Sequence, residues 1–533
     1  MLPSVTGRRG PERGHRSRRC RRCPSNPVGL VLGVLLALAV PRESPAQSKP
    51  AGPVVVIQSG EAATLDWHMH CDKNAHEPDR QIFDTLLRRN LKTLQLEGNL
   101  AESWRLVNDT TWQFKLRRGV KFHNGEPFDA GAVKFSIERM LNPKQGAPGR
   151  TSIATIDHVD VIDATTVNVV TKTPFPLLPV RMSPGHCGTV GIVPPQYLGQ
   201  VGDAGFAVKP VGTGPYKLVE WVKDERLVLE ANHDYHRGAP AIERLVFRPV
   251  PELTTRVAAL LSGQADLVSD IPPDQIEKIN ASGVARVEVS TLGGFIIMVK
   301  MTNYLMPGPW QDARVRKAIN LAVDMDTIVK TVLEGYGQVL GVPLEKEAFG
   351  FNPNIKWWGY DPEQAKALLR EAGYANGFEM TLHAPNRRYM NDIEVMQAIA
   401  QMLGKVGIKA KVEVWEQSVY TTKWRKRELL PAYMTAWGGA GIFDGDLLVN
   451  SLHSKSALAI YKNEALDKIL EDAQGTNDTE KRKALYWKAQ EMIYADAPII
   501  KAYQQAHIFG ISTRLDWSPW IDNMLFLYDA RLK

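Results

Sequence analysis

The stretch MQAIAQMLGKVGIKAKVEV, residues 396–414, changes its hydrophobic period partway along. Met396, Ile399, Ala400 and Leu403 recur at three- and four-residue spacing, which puts them on one face of a helix, and Gly407 stops that helix. Ala410, Val412 and Val414 then alternate with Lys409, Lys411 and Glu413, the two-residue period of a strand. A helix that feeds a strand in this way is the building unit of an α/β lobe.

Further units lie on either side. Asp361 is placed to cap a helix with Pro362 at its first position and Gln364 set for a capping box; Ala365, Leu368, Leu369 and Ala372 form its apolar side and Gly373 ends it. Residues 466–494 read as the last helical stretch, ending near Pro498 before a short strand at Ile499 and Ile500. Toward the N-terminus, Val54–Gln58 reads as an apolar opening strand. Trp112, Phe114 and Leu116 alternate with Gln113 and Lys115, which predicts a half-exposed antiparallel strand. After a turn at Asn124 and Gly125, Asp129 is set to cap a helix striped by Val133, Ile137, Met140 and Leu141. At 533 residues and 44% apolar content, the chain is long enough for two or three packed lobes.

The first 46 residues read as a targeting segment. Eight arginines crowd residues 8–22, an apolar and glycine run covers 28–40, and Ser44-Pro45-Ala46 supplies a small-residue cleavage site, the layout of a secretory signal peptide cut after Ala46. Thirteen residues make roughly 20 Å of helix, short of a bilayer's roughly 30 Å core. Removing the leader's nine Lys/Arg and two Asp/Glu from totals of 65 and 58 leaves 56 of each. The sequence pI near 9.0 therefore belongs to the leader, and no nucleic-acid partner is inferred from it. Cys20 and Cys23 fall inside the leader, so only Cys71 and Cys187 remain; in an oxidising exported compartment they form a disulfide or stay as two buried thiols.

Motifs for chemistry are sparse: the sequence has no phosphate-binding loop, H-E-x-x-H helix or G-x-S-x-G elbow. Its densest cluster is His68, His70, Cys71, Asp72 and His76, of which His68, His70 and His76 are candidate metal ligands. The plainer reading is a polar loop after the first strand whose side chains point in different directions.

Several longer stretches resemble one family, the family 5 extracellular solute-binding proteins that serve peptide and nickel ABC importers. They are LAESWRLVNDTTWQFKLRRGVKFHNGEPFDAGAVKFSIERM (100–140), IVPPQYL (192–198), PVGTGPYKLVEW (210–221), VRKAINLAVD (315–324) and YDPEQAKALLREAGY (360–374), in the family's order. The resemblance implies an α/β fold of the periplasmic binding protein type, with two lobes joined by hinge strands and an extra domain inserted in the first. Carried onto this chain, the first lobe takes 47–86, 205–298 and 500–533, the inserted domain 87–204, and the second lobe 299–499. It also implies a periplasmic receptor, monomeric and without a cofactor, that hands a peptide or other small carboxylate to the transmembrane permease subunits. The alternatives are a receptor for a nickel or other metal chelate, a receptor that feeds a sensor kinase, and, in a different class, a metal-dependent hydrolase.

Dipeptide receptors of the family hold the ligand carboxylate with an arginine and its amine with a downstream aspartate. By resemblance APNRRYMND (384–392) puts Arg387 on the arginine position, where a guanidinium grips a carboxylate through two parallel hydrogen bonds. In TAWGGAGIFDGD (435–446) the expected aspartate falls on Ala440, which leaves Asp444 or Asp446 to supply the charge or points to a ligand whose amine lies elsewhere. Trp437 is expected to stack on the ligand, with Gly438, Gly439 and Gly441 allowing close backbone approach. Trp67, His70 and Asp72 of the first-lobe loop are the remaining expected contacts.

Overall fold

The computed structural model describes residues 52–533 except 91, 186, 439–441, 457 and 523, so the leader and Gly439 lie outside the described residues. Three sheets organise the chain. The first runs, in spatial order, Ala285–Ser290, His507–Ser512, Leu267–Val268, Val54–Gln58, Arg244–Pro249, Arg226–Ala231 and Tyr216–Val222. Val54–Gln58 lies parallel to both of its neighbours, so Val56 faces Phe247 on one side and Leu267 on the other. Buried on both faces, it reads as an unbroken apolar run.

The second sheet runs Gly337–Val339, Ile499–Gln505, Phe295–Met301, Ala432–Gly438, Phe378–Pro385 and Ile408–Trp415. Phe378–Pro385 and Ile408–Trp415 pair in parallel and are joined by the helix Asp392–Gly404, which completes the helix-then-strand unit read at 396–414. Met396, Ile399 and Leu403 are fully buried beneath the sheet. Ile408–Trp415 is an edge strand, which accounts for Val414 standing in solvent although it belongs to the apolar set. The 361 cap forms as expected, with Asp361 Oδ1 accepting from Gln364 N at 2.9 Å. Residues 466–494 do not form one helix: the chain breaks into Glu464–Gln474 and Thr479–Asp496, because Gly475 ends the first and Asp478 caps the second through Lys481 N at 2.9 Å.

The third sheet, Ala101–Asn108, Thr111–Leu116, Thr166–Thr171 and Ile156–Asp163, is antiparallel throughout. Its helix Ala130–Leu141 is capped by Asp129 and buries Val133, Ile137 and Met140 against Phe114, Val159 and Val167.

The chain passes between the first two sheets at two places, from Ser290 to Phe295 through 291–294 and from Gln505 to His507 through Ala506. These crossings touch: a Cβ on Gly294 would stand 2.2 Å from Gln505 O, and one on Gly293 2.0 Å from Ile521 O, so only glycine lets them lie this close. The α/β fold thus consists of two sheet-centred lobes joined by two close-set crossings, with a third, antiparallel body. Among the described residues, no helix is long and apolar enough to cross a membrane.

Candidate functional site

Several strands of the first two sheets end beside the crossings, and the segments that leave those ends form the walls of a cleft. On the second lobe the principal one is residues 386–391. The Asp392 carboxylate accepts from the backbone N–H groups of Arg387, Arg388, Tyr389 and Ile393 at 3.3, 2.8, 3.1 and 3.0 Å, which curls the segment back on the helix it opens. Met390 N donates to Gln505 Oε1 at 2.9 Å, tying the same segment to the crossing. Arg387 occupies the left-handed region at φ 60°, a conformation a non-glycine residue keeps only where its surroundings hold it. Its side chain is exposed and its guanidinium has no partner among the described residues. Arg388 instead lies over the Tyr389 ring, 5.5 Å from the centroid.

Trp437 and Gly438 end the neighbouring parallel strand at the same edge. Gly438, at φ 89°, pairs with Phe295. Trp437 is half-buried against the second lobe's core, and Lys300 Nζ lies 5.1 Å from its ring centroid. Burial pushes the Lys300 amine down to about 7. Asp444 stands differently from its expected role as a ligand contact. Its two oxygens accept from Arg482 at 2.8 and 2.6 Å in a buried bidentate pair, so it fastens its own loop to the helix Thr479–Asp496. Asp446 accepts from Gln474 Nε2 at 2.6 Å and is buried as well.

On the first lobe, Trp67 is buried, donates Nε1 to Thr189 O at 3.0 Å, and packs its ring on Gly191, where a Cβ would come within 2.7 Å. Asp72 caps the helix Lys73–Ile82 through Asn74 N. His70 Nε2 meets Asp79 Oδ2 at 2.7 Å; burial raises the Asp79 carboxyl to about 6. His68 is held structurally: Nε2 donates to Gly191 O at 2.8 Å and Nδ1 accepts from Arg139 at 3.0 Å, while burial lowers its pKa to about 4. The His76 ring lies tilted against His70, centroids 4.4 Å apart, and edge-on to Trp67 at 5.4 Å. Among the described residues no three His, Cys, Asp or Glu side chains converge as metal ligands. The Arg139 guanidinium beside His68 also disfavours a cation there. Cys71 and Cys187 are bonded as a disulfide with Cα atoms 4.7 Å apart, which pins the 70–72 loop to the segment before Thr189.

Two further cleft residues escaped the sequence reading, Lys73 and Asp270. They lie 197 positions apart and meet at 3.1 Å, and no periodicity or motif marks either one.

A two-lobed α/β scaffold with its polar groups gathered at the lobe junction is the architecture of a solute receptor. The model of the bacterial extracellular solute-binding proteins, family 5, matches residues 95–458, and the chain belongs to that family, the solute-binding subunits of ABC importers. It is 31% identical over 453 residues to the glutathione-binding protein GsiB of Pectobacterium atrosepticum, covering 82% of this chain and 86% of that protein. Among solved structures it resembles the ABC transporter-associated periplasmic binding protein DppA of Helicobacter pylori in complex with the peptide STSA, at 26% identity and a TM-score of 0.75, over 90% of this chain and 98% of that one. The substrate-binding protein CtaP of Listeria monocytogenes shares the fold at a TM-score of 0.82 and 20% identity, covering 91% and 100%.

Proposed function

We propose that this chain is a periplasmic receptor that takes a short peptide-like carboxylate into the cleft, closes on it and delivers it unchanged to the permease of its importer. The observation that carries the reading is Arg387, whose guanidinium is presented at the cleft edge on a segment pinned by Asp392 and Gln505 and has no partner among the described residues. In a closed, drier cleft such a group gains more from a carboxylate than it does at an open surface. The glutathione- and peptide-binding relatives support the ligand class. Trp437 and Gly438 contribute the apolar flank of the same wall, and Trp67, His70 and Asp72 support the opposite one. The sheets support the same order of segments as the expected division (first lobe 47–86, 205–298 and 500–533, inserted domain 87–204, second lobe 299–499), with the lobe boundaries moved from 298 and 500 to the crossings at 291–294 and 506, because Phe295–Met301 and Ile499–Gln505 lie in the second sheet.

The test is native mass spectrometry of the protein purified from its own host, followed by calorimetric titration with glutathione and with di- and tripeptides. Arg387→Ala is expected to weaken the retained carboxylate by about 1.5 to 3 kcal/mol, the range for hydrogen bonds to charged groups. An unchanged dissociation constant removes Arg387 from the site, and conversion of the bound molecule into product ends the receptor reading.

A further inference from the structure

On the first lobe, Lys73 and Asp270 form an ion pair that remains open to solvent. Lys73 Nζ donates to both Asp270 oxygens at 3.1 Å, and the two side chains are 23% and 45% exposed. Lys73 is the first residue of the helix Lys73–Ile82, whose N-terminus is capped by the Asp72 carboxylate. Asp270, just past the strand Leu267–Val268, sits at φ 59° in the left-handed region.

Two buried polar atoms without a hydrogen-bond partner stand behind this pair. Glu77 Oε1 lies 3.9 Å from Lys73 Nζ, while its other oxygen accepts from Gln58 Nε2 at 2.6 Å. His507 Nε2 is the second; the field of Lys73 and Asp270 reaches this ring, which burial keeps neutral. Buried polar atoms in folded proteins are nearly always paired, so two orphans beside one exposed ion pair mark a place where a polar ligand completes the network.

A run of packed rings leads from the pair toward Arg387. His507 packs edge-on to Phe295 at 5.8 Å, Phe295 is 37% exposed and packs on Tyr389 at 6.4 Å, and Tyr389 is two residues from Arg387. Met390 of the same segment packs against the first-lobe cluster that contains Ile271, the neighbour of Asp270. The cleft therefore has a mixed-charge pole on the first lobe, a cationic pole on the second and an aromatic ring between them.

We propose that the Lys73–Asp270 pair, backed by Glu77 and His507, is the recognition site for a zwitterionic amino-acid head. The ligand ammonium goes to Asp270 and its α-carboxylate goes to Lys73. When Asp270 turns to the ammonium, Lys73 turns to the ligand carboxylate, with Glu77 Oε1 3.9 Å behind it. A second, distal carboxylate reaches Arg387, so the ligand class is a short peptide-like molecule with an amino-acid head at one end and a free carboxylate at the other. This rests on the cleft being the ligand site and narrows what enters it.

The experiment is calorimetry of the full mature chain with glutathione, its des-amino analogue and its glycine amide. In the unsubstituted protein, loss of the ammonium is expected to weaken binding about 10- to 100-fold. Asp270→Asn is expected to weaken glutathione by a similar factor while leaving the des-amino analogue little changed. Equal affinity of the unsubstituted protein for glutathione and its des-amino analogue overturns the assignment without any variant having to fold. Binding of ordinary peptides but not of glutathione also overturns it and leaves the peptide-receptor reading standing. Conversely, loss of binding in Asp270→Asn with unchanged binding in Arg387→Ala upholds the zwitterion site and removes the Arg387 anchor.

Discussion

Glu77 is the residue whose titration reports how dry the cleft floor is. It is buried, and burial raises its carboxyl from an ordinary 4.5 to about 7 against the opposing pull of Lys73. A folded-state value above the unfolded one means that the folded protein holds this proton more tightly. The contribution to stability is therefore complete below about pH 4.5 and is lost as pH rises through about 7. At roughly 1.36 kcal/mol per unit, the loss amounts to about 3 kcal/mol. Urea unfolding of the ligand-free protein across that window should show the decline, and Glu77→Gln should flatten it. Parallel curves for the two proteins would mean that Glu77 ionises as freely when folded as when unfolded. Nothing local in EPDRQ (77–81) announced this behaviour, because the shift comes from burial in the folded chain, with Asp270 adding to it and Lys73 and Gln58 opposing it. Arg387 was singled out because its neighbours resemble the family's carboxylate-binding stretch, whereas Asp444 and an unpaired aspartate look alike until Arg482 is found beside it in space.

Among the elements, the helix Lys73–Ile82 shows why one of the longer sequence signatures has its form. In PVGTGPYKLVEW, Gly214 N donates to Ile82 O at 2.8 Å, and a Cβ on Gly212 would stand 2.0 Å from the same oxygen. The two glycines let this segment seat directly on the C-terminal turn of the helix whose first residue is Lys73. Gly212→Ala should therefore cost about 3 kcal/mol, the upper range for overpacking, as read by chemical denaturation. Gly199→Ala, in the helix Pro195–Val208 where nothing lies within 4 Å, should be neutral or stabilising by up to about 1 kcal/mol. Similar costs at both sites would refute this account of the signature. Elements with a strong period were legible in kind, the helix after Asp129 to within a residue and the helix and strand of 396–414 to within about four residues at their ends. The break at Gly475 was read through, although no apolar residue stands between Ala473 and Ala484 and Gly475 and Asp478 supply the stop and the cap that set the boundary.

At the scale of the whole molecule, the first two sheets are joined by the crossings, but the antiparallel body also reaches the second lobe. Arg89 Nη2 donates to Ile442 O at 2.5 Å and its guanidinium lies 5.3 Å from the Phe443 ring centroid. Arg181 approaches Asp446 at 4.0 Å, Asn477 Nδ2 donates to Asp109 O at 2.8 Å, and Leu177 joins the second lobe's core. In the proposed closing motion these contacts belong to the closed arrangement and not to the open one. No sequence pattern foretold them, since each joins positions hundreds of residues apart whose partners are backbone carbonyls or loop side chains. Removing a contact made only in the closed form lowers the closed population, and the apparent dissociation constant rises by that factor whatever the ligand. Arg89→Ala should therefore weaken every ligand alike by about 1 to 2 kcal/mol, roughly 5- to 30-fold. X-ray scattering should show an unchanged radius of gyration at ligand saturation and, where the free protein is partly closed, a larger one without ligand. Arg387→Ala should instead discriminate, losing affinity for carboxylates and keeping it for their amides. If Arg89→Ala also penalised carboxylates alone, Arg89 would be a ligand contact and the antiparallel body would be no part of the closing device.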